Sequence, residues 1–127
     1  MTRALRLRTI ADVAPDVASG AVSARELTEA CLDRIAERDG DLNAFIAVDA
    51  DGAWAAARAA DDEIAAGHCR GPLHGIPISL KDLIDVAGSP TTAASNVRPR
   101  TPVAADAPVV AKLRAAGAIV LGKCNLH

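Results

Sequence analysis

Lys81 is the residue best placed to do chemistry. It sits near the end of the alternating run Ile76 to Asp82 ("IPISLKD"), where that run gives way to a loop. In such a strand Ile76, Ile78 and Leu80 share one face, while Ser79 and Lys81 share the other. Ligands gather at strand ends of this kind in open α/β sheets. A lysine held out of water there gives up its proton more readily and can act as a base. Spacing alone favours the plainer alternative, a strand-end lysine pointing into solvent.

The other candidates read more blandly. His74 lies in the Gly/Pro loop "GPLHGIP" and reads as structural or solvent-facing. Thr91, Thr92 and Ser95 put three hydroxyls in a loop, where hydroxyls usually bond to backbone. Lys123 and Asn125 follow the last apolar run, so they line a strand-end cleft or belong to a solvated loop. Asp82 and Asp85 are too close in sequence and too poorly placed for a paired-carboxylate site. Cys31, Cys69 and Cys124 are odd in number and far apart, with no CxxC pair and no histidine at ligand spacing. They read as three reduced thiols, with no disulfide framework, metal or cofactor.

These residues need elements to hold them. Thr9 can cap a helix over Ile10 to Ser19, stopped by Gly20. Ser23 and Glu26 form an S-x-x-E capping box. The stripe Leu27, Cys31, Ile35 behind it predicts a helix ending near Arg38, with Gly40 as the break. Asn43 to Val48 reads as a strand, and Asp51 to Ala66 as an alanine-rich helix stopped by Gly67. Ile76 to Asp82 is the next strand, and Gly88 to Pro102 a long irregular stretch. Asp106 then caps a helix with Pro108 in its first turn, ended by Gly117. Ala118 to Leu121 is a buried strand. Strand, helix, strand is the order that a crossover to a parallel neighbour requires. The fold class is α/β, with helices packed on a sheet. Residues 1–70 are a mainly helical lead-in with one strand, and 71–127 a strand–loop–helix–strand unit.

Bulk properties exclude several functions. A chain of 127 residues suits one domain. Half of it is hydrophobic but only 2% is aromatic, and the net charge is −2. A nucleic-acid binder would want stacking aromatics and a basic face. Arg3, Arg6 and Arg8 are followed by Asp12, Pro15 and Asp16 rather than by an apolar run. No signal peptide or membrane span is read, and a cytoplasmic protein is expected.

The stretch "GPLHGIPISLKDLIDVAGSPTTAAS" (Gly71 to Ser95) resembles the first conserved block of the amidase signature family. "DAPVVAKLRAAGAIVLGKCNLH" (Asp106 to His127) is similar to that family's next segment. "VSARELTEACLDRIAERDGDLNAFIAVD" (Val22 to Asp49) looks like its helical lead-in. The resemblance implies the N-terminal portion of that fold, a mixed sheet flanked by helices, and hydrolysis of a small-molecule amide, with no cofactor. It also implies that Lys81 is the base of a Ser–cis-Ser–Lys triad. In that scheme the lysine takes a proton from a bridging serine, which deprotonates the nucleophilic serine. The nucleophile attacks the amide carbonyl, ammonia or an amine leaves, and water clears the acyl-enzyme. Backbone N–H groups in a glycine-rich turn hold the oxyanion.

Two positions depart from the pattern. The family's "TTAGS" is "TTAAS" here, with Ala94 for glycine, and its "GKTN" is "GKCN", with Cys124 for threonine. Serines stand only at 19, 23, 79, 89 and 95, and neither two serines nor two glycines are adjacent. The nucleophile turn is therefore expected in a longer chain, and these 127 residues are expected to be inactive alone. The competing expectation is a non-catalytic remnant or half of a split enzyme, whose last strand leaves an unpaired edge. Within the family, His74 and His127 favour a general amidase. The tRNA-dependent amidotransferase's amidase component commonly has alanine and an acidic residue there.

Overall fold

The computed structural model describes residues 8–126. Arg3, Arg6 and His127 lie outside them.

Two reciprocal caps start the chain's first helices. The Thr9 hydroxyl accepts the Asp12 amide while the Asp12 carboxylate accepts the Thr9 amide, opening α1 (Ile10–Ser19). Gly20, left-handed at φ 77°, closes it. Ser23 and Glu26 repeat the device at the start of α2 (Ala24–Leu42). This helix does not stop near Arg38. It runs through Gly40, around which lies open space, to a left-handed cap at Asn43. One glycine costs a helix only about 1 kcal/mol. The real stop is at Asn43, and the Asp39 carboxylate accepts the next two amides, Ala44 and Phe45.

Strand β1 (Phe45–Val48) follows, then α3 (Ala50–Ala65), capped by Asp49 through the Gly52 amide. After the Gly/Pro loop come β2 (Pro77–Lys81), a long irregular segment, α4 (Pro108–Ala115) and β3 (Ile119–Cys124). Asp106 is not the cap of α4. Ala107 holds that position with no side-chain bond, while Asp106 accepts the Ala87 amide and pairs with Arg114.

The three strands form one sheet in the order β1-β3-β2. β1 pairs antiparallel with β3, and β2 pairs parallel with it. The β2–α4–β3 crossover therefore has the form that the element order demands. β3 is longer than the expected Ala118–Leu121, and it is the central strand rather than an open edge. It bonds to a neighbour on each side, and its residues from Ile119 to Lys123 are all buried.

Side chains alternate across β3. Ile119 and Leu121 pack on the alanine stripe Ala53, Ala57 and Ala60 of α3 and on Ala24 of α2. Val120 points the other way, into a cluster with Leu80, Val86 and Val110 of α4. The sheet is thus sandwiched between α2 and α3 on one face and α4 on the other. Ile76 belongs to neither cluster and packs with Val13, Val17 and Leu27.

One irregularity sets the far end of the sheet. Ile78 is opposite Val120, but Ser79 is opposite Gly122, so Leu121 is an extra residue on β3. A one-residue slip moves every later side chain to the other face. Lys123, now opposite Leu80, is turned onto the α4 face. Without the slip it would share the face of Leu121.

Candidate active site

The parallel pair β2–β3 brings two strand ends together, with Lys81 opposite Cys124. Lys81 is exposed, not withdrawn from water as a base in a closed cleft would be. Among the described residues its ammonium has no hydrogen-bond or ion-pair partner. The reason is its face: Leu80 points into the α4 cluster, so Lys81 points away from it.

The buried lysine is Lys123. Its Nζ lies 2.9 Å from Asp82 Oδ1, and the two side chains are 3% and 0% exposed. Oδ1 has no hydrogen bond of good alignment, so this contact is an ion pair. The same ammonium donates to the Pro90 carbonyl at 3.4 Å and to Thr91 Oγ1 at 3.5 Å. The other carboxylate oxygen, Oδ2, accepts from the Thr92 amide at 3.1 Å and from the Thr92 hydroxyl. Burial drives the Asp82 carboxyl upward, but the Thr92 donors and the Lys123 charge outweigh it, leaving it below the ordinary carboxylate value.

The backbone completes the knot. The Asp82 amide donates to Cys124 O at 3.0 Å, and the Asp82 carbonyl accepts from the Ala93 amide at 3.0 Å. The loop hydroxyls do not simply bond to backbone: Thr91 donates to Asp85 Oδ1 at 2.7 Å, and Thr92 grips Asp82. Ala93 and Ala94 follow at φ 50° and 51°, both left-handed. Ala94 thus stands in a conformation that suits the glycine of the related pattern.

Of the two readings of Lys123 the solvated loop is excluded: it lies on a buried strand, and Asp82 is its counter-charge. A signal for this exists in the sequence. Ile78, Leu80 and Asp82 fall on one face at period two, so a carboxylate continues an apolar face and needs a buried cation.

The remaining candidates lie elsewhere. His74 sits beyond the opposite end of β2 and is 2% exposed. Its Nδ1 accepts the Arg70 amide at 2.9 Å, and its Nε2 lies 3.3 Å from Glu63. Burial lowers its pKa, against the pull of Glu63 and with the push of Arg70. It is structural. Asn125 ties the end of β3 to the start of β1, its backbone amide donating to Ala44 O. Ser95 Oγ accepts from the Val97 amide. A groove of about 510 Å³ is lined by α2, β1 and β2 residues including Ile35, Leu42, Phe45 and Ile78. Lys81 is not part of its wall, so it is not the site around that lysine.

Among the described residues no three histidine, cysteine, aspartate or glutamate side chains converge to hold a metal ion. No described helix is long and apolar enough to cross a membrane.

Comparison with known proteins decides the family. The amidase sequence profile matches residues 26–127. The chain belongs to the amidase signature family. It is 48% identical over 119 residues to a glutamyl-tRNA(Gln) amidotransferase subunit from Acidothermus cellulolyticus, covering 94% of this chain and 24% of that protein. With its counterpart from Thermobifida fusca it shares 47% over 126 residues, 99% of this chain and 25% of that one. Among solved structures it superimposes on the peptide amidase of Stenotrophomonas maltophilia with a TM-score of 0.87 at 41% identity, over 94% of this chain and 25% of that one. An amidase family protein of Bacillus anthracis str. Ames gives 0.87 at 31%, over 98% and 25%. The chain thus spans about a quarter of the length of the amidase relatives it matches.

Proposed function

We propose that these residues contribute the general base, Lys81, to an amidase of the Ser–cis-Ser–Lys type, acting on a small-molecule amide. The two serines and the oxyanion cradle come from a segment that this sequence does not contain. The observation that carries the reading is the place of Lys81. It stands at the shared carboxyl end of two parallel strands, inside the Gly71–Ser95 block, with its ammonium exposed and unpartnered among the described residues. A lysine so placed is open to a serine brought from another segment. The chain alone turns over no amide, because loss of the nucleophile removes most of the rate.

A chimera tests this. These 127 residues replace the matching quarter of the Stenotrophomonas peptide amidase. The chimera hydrolyses a peptide amide, and Lys81→Met abolishes turnover while Lys112→Met does not. Full activity of the Lys81→Met chimera would overturn the assignment, as would aryl-amide turnover by the isolated chain.

A second reading is favoured by the curated relatives, which at 45–49% identity include several glutamyl-tRNA(Gln) amidotransferase subunits. His74 bears less on this choice than its sequence position suggests, since it packs against Gly117 and serves the fold. Hydrolysis of free glutamine but not of a peptide amide by a chimera with the Thermobifida protein would favour the amidotransferase.

A further inference from the structure

We propose that Asp82 and Lys123 are positioning residues for Lys81: the buried pair fastens the ends of β2 and β3 to the Thr91–Ser95 turn, so that Lys81 projects from backbone with a single conformation. The inference rests on the reading of Lys81 as the base.

Lys81 makes no polar side-chain contact among the described residues, so its direction is set through its backbone. The residue after it has nearly every polar group engaged with another segment. The Asp82 amide is held by β3, its carbonyl by Ala93, one carboxylate oxygen by Thr92 and the other by Lys123. Any shift of the strand end breaks several of these at once.

Energetics say what such a pair is for. Two charges lose their hydration on burial, and an apolar pair of the same volume is usually as stable or more so. The pair therefore adds little net stability. It penalises every alternative arrangement, because a displaced strand end leaves a lone charge in the core. The register slip at Leu121 is what turns Lys123 onto this face. The left-handed Ala93–Ala94 turn would relax if nothing held it, and Thr92 holds it to Asp82.

The test uses the 127-residue chain, which has only three lysines, Lys81, Lys112 and Lys123. Lysine-selective ¹⁵N NMR and amide hydrogen exchange are measured for the parent chain, Asp82→Asn, and the double variant Asp82→Leu/Lys123→Met. In the parent the Lys123 ammonium protons exchange slowly enough to be seen. In Asp82→Asn that signal disappears. Exchange at the Asp82 and Ala93 amides rises about tenfold more than at Val120.

The double variant separates positioning from support. It regains the urea midpoint of the parent, yet the amides at positions 82 and 93 stay unprotected and the Lys81 resonances are broader than in the parent. Restoration of both stability and local protection would overturn the proposal, and so would a single variant whose exchange rises evenly across the sheet. If Asp82→Asn does not fold, the double variant alone decides. Failure of the peptide-amidase chimera would remove the base role of Lys81 and leave these NMR results as they stand.

Discussion

Lys123 Nζ and Asp82 Oδ1 meet at 2.9 Å with both side chains shut away from solvent. Such a pair is far costlier to halve than to delete. Asp82→Ala or Lys123→Ala strands the partner charge and lowers stability by about 3–5 kcal/mol. Replacing both by apolar residues of similar volume costs less than either single change. A double-mutant cycle in urea measures the coupling, and additive singles would show that the ion pair holds nothing.

Stability falls in two steps as the solution is acidified. Burial sets the His74 pKa below the unfolded value of about 6.5, so the unfolded chain binds the extra proton first. Stability is full above that value and declines below it. Asp82 is also depressed, here below the unfolded value of about 3.9, so its contribution is present above that value and lost as pH falls through the lower folded value. Glu63, depressed chiefly by its hydrogen bond from Arg70, adds to the second step. Thermal melts across this range resolve both. His74→Gln removes the first step and spares the second.

The turn after Thr92 carries strain that one substitution relieves. A left-handed residue other than glycine costs about 1–2 kcal/mol, and Ala94 sits at φ 51°. Glycine removes that cost but gives back about 0.4–1 kcal/mol through the unfolded chain. Ala94→Gly therefore stabilises by about 0.5–1 kcal/mol, read as a higher urea midpoint.

Two glycines respond oppositely to alanine. A Cβ on Gly122 would run into the Ala47 carbonyl oxygen, within the β1–β3 pair, and that backbone has nowhere to go. Gly122→Ala costs about 3 kcal/mol, at the upper end for overpacking. Gly40 has open space around it inside α2, and Gly40→Ala gains about 0.5–1 kcal/mol. Equal destabilisation by both would contradict the strand register.

Local features are legible in the sequence wherever a few neighbouring residues decide them. The caps at Thr9 and Ser23, the alanine helix and the strand under Lys81 depend on short spacings. The end of α2 is not legible in this way, because Gly40 is a weak break while Asp39 and Asn43 act together to end the helix three residues later. Asp106 has the look of a cap and is instead committed to Ala87 and Arg114, partners that short-range spacing does not reveal. At the site, Lys81 stands out through the family block. Asp82 is legible as a carboxylate that continues an apolar face, but its partner Lys123 is not, because their meeting depends on a slip in strand pairing between segments some forty residues apart.

The position of β3 has a consequence for synthesis. Among the described residues β1 and β2 do not pair with each other; each pairs only with β3, which is made after both. Until the ribosome has released Ile119 to Cys124, neither earlier strand has a partner in this sheet. The preceding residues therefore emerge as helices and unpaired apolar segments. During that interval its unpaired strand edges and apolar faces are open to aggregation.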